Sequence, residues 1–92
     1  MTDNWDEVSY VISSQYRVAV MDELADEPAT PTEIASEAEF ATSHVSRAVG
    51  RLHDRSIVEL TVPESQHVNR QYRLTEKGRR LWDNITEAEL VG

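Results

Sequence analysis

The sequence predicts a mainly helical chain with one small β-hairpin, an α+β arrangement in the order helix, helix, helix, hairpin, helix. Three observations predict it. Apolar residues recur at helical spacing up to Arg55, the period drops to two through "IVELTV" and "RQYRL", and helical spacing returns after Thr75. With 92 residues the chain fits one domain, residues 1–92, large enough for a single modest core. Within it the pattern marks a helical region at 1–26, a helix pair at 31–55, a hairpin at 57–74 and a last helix at 75–90.

From Asn4 to Asp26 there is no Gly or Pro, and Val8, Ile12, Tyr16, Val20 and Leu24 recur every four residues. A second apolar row runs through Val11, Val18, Met21 and Ala25, more than one core face needs. Serine competes for backbone hydrogen bonds, so Ser13-Ser14 is where this segment either continues as one helix or divides into a short and a longer one. In "TPTE" Thr30 can cap, Pro31 fits the first helical position, and Glu33 completes a capping box. A helix from Pro31 to about Ala38 follows, burying Ile34 and Ala35. Phe40, the one phenylalanine, then plugs the core between this helix and the next.

That next helix spans Thr42 to Arg55 with Val45, Ala48, Val49 and Leu52 inward. Ser43, His44, Ser46, Arg47, Gly50, Arg51, Asp54 and Arg55 are left facing out. Gly50 in mid-helix costs up to ~1 kcal/mol against alanine, which points to close approach by something. In the hairpin Val58, Leu60 and Val62 share one side and Tyr72 and Leu74 answer from the other strand, with "PESQHVN" as a polar tip. Thr75 caps the final helix, Glu76 to about Leu90, whose apolar residues are Leu81, Trp82, Ile85 and, at its end, Ala88.

The charge census narrows the function. There are 17 acidic and 9 basic side chains and a formal charge of −8, with Lys77 the only lysine. Such a surface suits concentrated salt, where repulsion between carboxylates is screened within ~3 Å at 1 M, so a halophilic source is expected. Residues 1–41 hold ten acidic side chains and one basic one, Arg17, whereas residues 42–82 hold four acidic and eight basic. Positive charge confined to one contiguous stretch of an acidic chain is the footprint of a nucleic-acid face.

Two short helices joined by a tight turn, the second with an outward Ser/His/Arg face, make a helix-turn-helix, and a hairpin after them makes it winged. The stretches "SSQYRVAVMDELADEPATPTEIA", "TSHVSRAVGRLHDRSIVEL" and "YRLTEKGRRL" resemble the archaeal winged helix-turn-helix regulators of the broad MarR/ArsR type, particularly small haloarchaeal and halophilic-phage repressor-like members. The resemblance covers roughly residues 8–82. It implies a recognition helix at Thr42–Arg55, with Thr42, Ser43, His44, Ser46 and Arg47 toward the major groove and Arg51 and Arg55 toward phosphates. It also implies that Gln66, His67, Asn69 and Arg70 at the wing touch the minor groove or backbone, and that Thr32 offers a hydroxyl to a phosphate. The chemistry suits these roles, since Arg grips guanine O6/N7 and Ser or Thr bonds several base edges. Two departures stand out. Ala41 replaces the serine often found before the recognition helix, which shifts the cap to Thr42, and Ser56 replaces the glycine that often follows it.

The expected function is therefore sequence-specific binding of double-stranded DNA in transcription regulation. A homodimer is expected from the second apolar row and from Trp82, Ile85, Leu90 and Val91. The alternative is a winged-helix module whose basic face docks an acidic protein partner. No enzyme, cofactor or metal role is expected: cysteine is absent, and the three histidines form no tight cluster with carboxylates. No apolar run approaches the ~20 residues of a membrane span, and "MTDNWDEV" lacks the pattern of a secretion signal, so a cytoplasmic protein without membrane attachment is expected.

Overall fold

The computed structural model describes residues 4–61 and 70–89. Its elements are α1 (Asn4–Ile12), α2 (Gln15–Asp26), α3 (Pro31–Ala38), α4 (Thr42–Asp54), β1 (Val58–Leu60), β2 (Tyr72–Leu74) and α5 (Glu76–Glu87). The helix, helix, helix, hairpin, helix order is present, with the first helical segment divided in two. The division falls at the serine pair. The Ser13 hydroxyl donates to the Tyr10 carbonyl (3.0 Å) and Ser14, in extended conformation, caps α2 by accepting from the Arg17 amide. A bent segment explains the two apolar rows, because Val8 and Val11 from α1 meet Val20, Met21 and Leu24 from α2 in one core.

Local signals set the middle of the chain. The Thr30 hydroxyl accepts from the Glu33 amide (3.1 Å) and the Glu33 carboxylate accepts from the Thr30 amide (2.9 Å), the reciprocal capping box that starts α3. Glu39 stops it with a left-handed φ of 62°. This brings Phe40 against the core, edge-on to Tyr16 with ring centroids 4.9 Å apart. The chain re-enters helix at once as α4, whose Val45, Ala48, Val49 and Leu52 are buried.

The strands pair antiparallel in the register Val58 with Leu74, Glu59 with Arg73 and Leu60 with Tyr72. Val62 lies outside the described residues. A bridge absent from the sequence expectations joins Ala29 to Tyr72, with both amide-to-carbonyl bonds made (3.1 and 2.8 Å), and ties the α2–α3 connector to the hairpin. Thr75 caps α5 as expected by accepting from the Gly78 amide (3.0 Å). Leu81, Trp82 and Ile85 are buried. Ala88 is exposed just past the end of α5.

Ser56, where a glycine was the more usual residue, adopts φ 63°. A Cβ is disfavoured in that left-handed region. Ser56→Gly is accordingly expected to raise stability by about 0.5–1 kcal/mol after the entropy gained by the unfolded chain, read as a higher midpoint in urea.

Five acidic side chains gather between α2 and α3. Glu23, Asp26, Glu27, Glu33 and Glu37 line one cleft with Gln71. Burial raises the Glu23 pKa above the ordinary carboxylate value, and Glu37, Asp22, Asp26 and Glu27 add to it by repulsion. A carboxyl whose folded pKa is raised binds its proton more tightly folded than unfolded. Its charge therefore opposes folding fully above the folded pKa, and the opposition is gone below the unfolded one. Glu23→Gln should stabilise the protein at pH 7 and lose that advantage as the pH falls through the carboxylate range, with the repulsive part of the gain also shrinking in molar KCl. Thermal unfolding of the pair at two pH values and two salt concentrations checks both statements.

Candidate nucleic-acid interface

Four apolar residues fix the orientation of α4. With Val45, Ala48, Val49 and Leu52 in the core, the opposite face presents Thr42, Ser43, His44, Ser46, Arg47, Gly50 and Arg51, with Asp54 at its end, all exposed. The cap corrects one expectation. Ala41 occupies the N-cap with no side-chain hydrogen bond, and Thr42 is the first helical residue, so the Thr42 hydroxyl is not used as a cap. Phe40, half-buried against the core, immediately precedes this cap position. The amide-rich end of α4 is thus uncapped by any side chain, an arrangement that favours anions.

The two flanks of α4 differ. Residues seven apart lie on nearly the same side of a helix, so His44 and Arg51 share one flank and Ser46 and His53 the other. On the first, His44 stacks on Tyr16 of α2 (centroids 4.8 Å apart, planes 18° apart). There Ser14, Tyr16 and Arg17 face His44, Arg47 and Arg51 across an open cleft. On the second flank His53 packs edge-on to Tyr72 of β2 (6.1 Å), so Ser46 lies toward the hairpin. Gly50 stands between the flanks at the crest, and Arg47 stands beside it there while also lining the cleft toward α2.

A third group lies at the start of α3. Thr32 and Arg70 line one cleft with Thr30, Pro31, Glu33 and Tyr72, so the structure brings together two residues that are far apart in sequence. The Nε of Arg70 is buried there with no hydrogen-bond partner among the described residues. Gln66, His67 and Asn69, the expected wing-tip contacts, lie outside the described residues.

Ion pairing separates the basic side chains. Arg55 is the C-cap of α4 and turns toward α1: its guanidinium lies 3.7 Å from the Tyr10 ring centroid and 3.8 Å from Glu7. Lys77 pairs with the same Glu7 (3.1 Å), Arg73 with Glu59 (2.9 Å) and Arg80 with Glu76 (3.3 Å). Arg17, Arg47, Arg51, Arg70 and Arg79 have no carboxylate partner among the described residues, and of these Arg17, Arg47 and Arg51 line one cleft. Arg17 was missed as a site residue because α2 is otherwise acidic. The signal was nevertheless present, since it is the single basic residue before position 42.

The residues invoked for a second chain are mostly used within the first. Val11, Met21, Trp82 and Ile85 are buried in the chain's own core, and Val18 and Ala25 are partly buried against it. Among the described residues Trp5 on α1 is the exposed large apolar side chain, at 65%. Leu90 and Val91 lie outside the described residues. A Cβ at Gly50 would meet nothing within 4 Å, so among the described residues none outside its own helix makes the close approach expected there.

Among the described residues no three His, Asp or Glu side chains are grouped to hold a metal ion, and no helix is long and apolar enough to cross a membrane. Residues 5–91 match the protein-family model described as the HVO_A0261 N-terminal domain. No curated protein sequence matches the chain. Among solved structures the fold is similar to that of NMB1585, a MarR family regulator from Neisseria meningitidis, with TM-score 0.73 and 23% identity over 84% of this chain and 55% of that one. It is also similar to the MarR family transcription regulator SP03579 (TM-score 0.76, 16% identity, 92% and 60% of the two chains). Quinone-bound YodB from B. subtilis matches over nearly its full length (TM-score 0.74, 21% identity, 98% and 94%). The chain spans little more than half of the first of these structures, and at such identities the likeness is one of fold.

Proposed function

We propose that this chain, which belongs to the HVO_A0261 N-terminal domain family, is a sequence-specific regulator of transcription that binds double-stranded DNA with α4 in the major groove. One observation carries the reading. The exposed face of α4 combines short hydroxyl side chains with two arginines that pair with no carboxylate among the described residues, in a chain of formal charge −8. The fold shared with MarR family regulators agrees with this.

The roles follow from position. Arg47 at the crest reads a base, with Thr42, Ser43, His44 and Ser46 around it, and Arg51 on the α2 flank meets the backbone. Thr32 and Arg70 meet a phosphate at the start of α3, and Gln66, His67 and Asn69 carry the wing to the flanking groove or backbone. Arg55 reaches a phosphate only by leaving Glu7 and Tyr10. A homodimer through the N-terminal and C-terminal helices, with Trp5 in its interface, sets half-sites about one helical turn, ~34 Å, apart. Sedimentation equilibrium should give twice the chain mass. A cytoplasm of concentrated salt, as in haloarchaea, suits the acidic surface. Counterion release contributes little to binding at high salt, which leaves base contacts to supply more of the affinity.

Selection from a random duplex library in molar KCl tests the proposal. An enriched motif with two-fold symmetry is the expected result. No enrichment, with the protein shown folded by circular dichroism, contradicts it.

A further inference from the structure

We infer that Arg17, together with Arg51 across the α2–α4 cleft, forms a binding site for one phosphate of the DNA backbone; the inference rests on the proposed DNA-binding reading and extends it to α2. A helix lying in the major groove has a phosphate strand along each flank. The flank of α4 that carries His44 and Arg51 opens onto Ser14, Tyr16 and Arg17, so the strand on this side runs past α2.

Three features make this cleft an anion site. First, Arg17, Arg47 and Arg51 all line it, and none has a carboxylate partner among the described residues although the chain holds 17 acidic side chains. Like charges gathered around one open space repel, and an anion between them removes that cost. Second, Arg17 is held ready. Its Nε donates to the Tyr10 carbonyl (2.8 Å), one Nη donates to the Ser13 hydroxyl (3.1 Å), and its guanidinium lies 3.9 Å from the Tyr10 ring centroid. A guanidinium carries five N–H donors, so hydrogens remain to bond an oxygen in the cleft. Third, the start of α2 contributes its positive end to the same space, with Ser14 as the cap. The His44–Tyr16 stack fixes the spacing of the two helices beside the site.

The test compares wild type, Arg17→Gln, Arg51→Gln, the double variant and Arg17→Lys, measuring DNA affinity across a range of KCl on a selected duplex and on a scrambled one. Each Gln variant should lose about tenfold on both duplexes and flatten the salt dependence by about 0.9 in the logarithmic slope, the signature of one lost phosphate contact. The double variant should lose less than the product of the two singles, because both arginines serve one phosphate. Arg17→Lys keeps the charge but not the fork that holds Tyr10 and Ser13, and should keep the wild-type slope. Thermal unfolding of each free variant separates folding from binding. An unchanged slope in folded Arg17→Gln, with wild type binding DNA, overturns this inference alone; a wild type that binds no duplex overturns the DNA-binding reading as well.

Discussion

Gly78→Ala is expected to lower the folding stability by about 3 kcal/mol, the upper end of the cost of inserting a group into a packed site. Gly78 is buried in the first turn of α5, and a Cβ there would overlap the carbonyl oxygen of Ile57. That oxygen already accepts hydrogen bonds from the amide (3.0 Å) and hydroxyl (3.1 Å) of Thr75, the residue that caps α5. The obstructing atom belongs to the backbone of a fully buried residue, so it cannot swing aside as a side-chain tip would. Relief requires α5 to lift from the end of α4, which unseats Leu81, Trp82 and Ile85 from the core. The sign is diagnostic, because glycine to alanine inside a helix ordinarily gains up to ~1 kcal/mol. Gly50→Ala should show that ordinary gain, since a Cβ at Gly50 meets nothing within 4 Å. At about 4–8 °C per kcal/mol for a domain of this size, thermal scans of the two variants should move in opposite directions, with the Gly78→Ala midpoint at least ~12 °C lower.

Arg47→Ala is expected to cost ~1–3 kcal/mol in binding to the preferred duplex and to relax the preference at one base position. The residue sits at the crest of α4, between the flank packed on α2 and the flank turned to the hairpin, and is exposed with no carboxylate partner among the described residues. A guanidinium so placed loses little intramolecular bonding on meeting a base edge. The measurement is a repeat of the duplex selection with the variant beside wild type. An equal loss on every sequence would instead make Arg47 a phosphate contact. Folding should be nearly untouched, as expected for an exposed side chain away from caps and core.

The contrast between these two residues also shows what was legible in the sequence. Arg47 could be found because α4 is written locally: four apolar residues at helical spacing settle its orientation, and everything opposite them is exposed. The Thr30–Glu33 box, the Phe40 plug and the Thr75 cap are local in the same way, and each occurs as expected. Gly78 gave no such signal, since its constraint is a contact with Ile57, twenty-one positions earlier in the chain. Arg55 followed the helical spacing of Arg47 and Arg51, but the helix ends beneath it and Glu7 and Tyr10 of α1 draw it toward themselves. The second apolar row of the first segment suggested a partner chain for a related reason. A straight helix carrying both rows needs two apolar environments, whereas a helix divided at Ser13-Ser14 turns Val11 and Met21 into one core.

The most direct test of the central claim, that α4 reads the major groove, is protection of guanine N7 from dimethyl sulfate on the selected duplex. N7 is exposed in the major groove alone. Protected guanines are expected to cluster under each half-site, with the protection at one of them lost in Arg47→Ala. Binding that leaves every guanine N7 as reactive as in free DNA would contradict it.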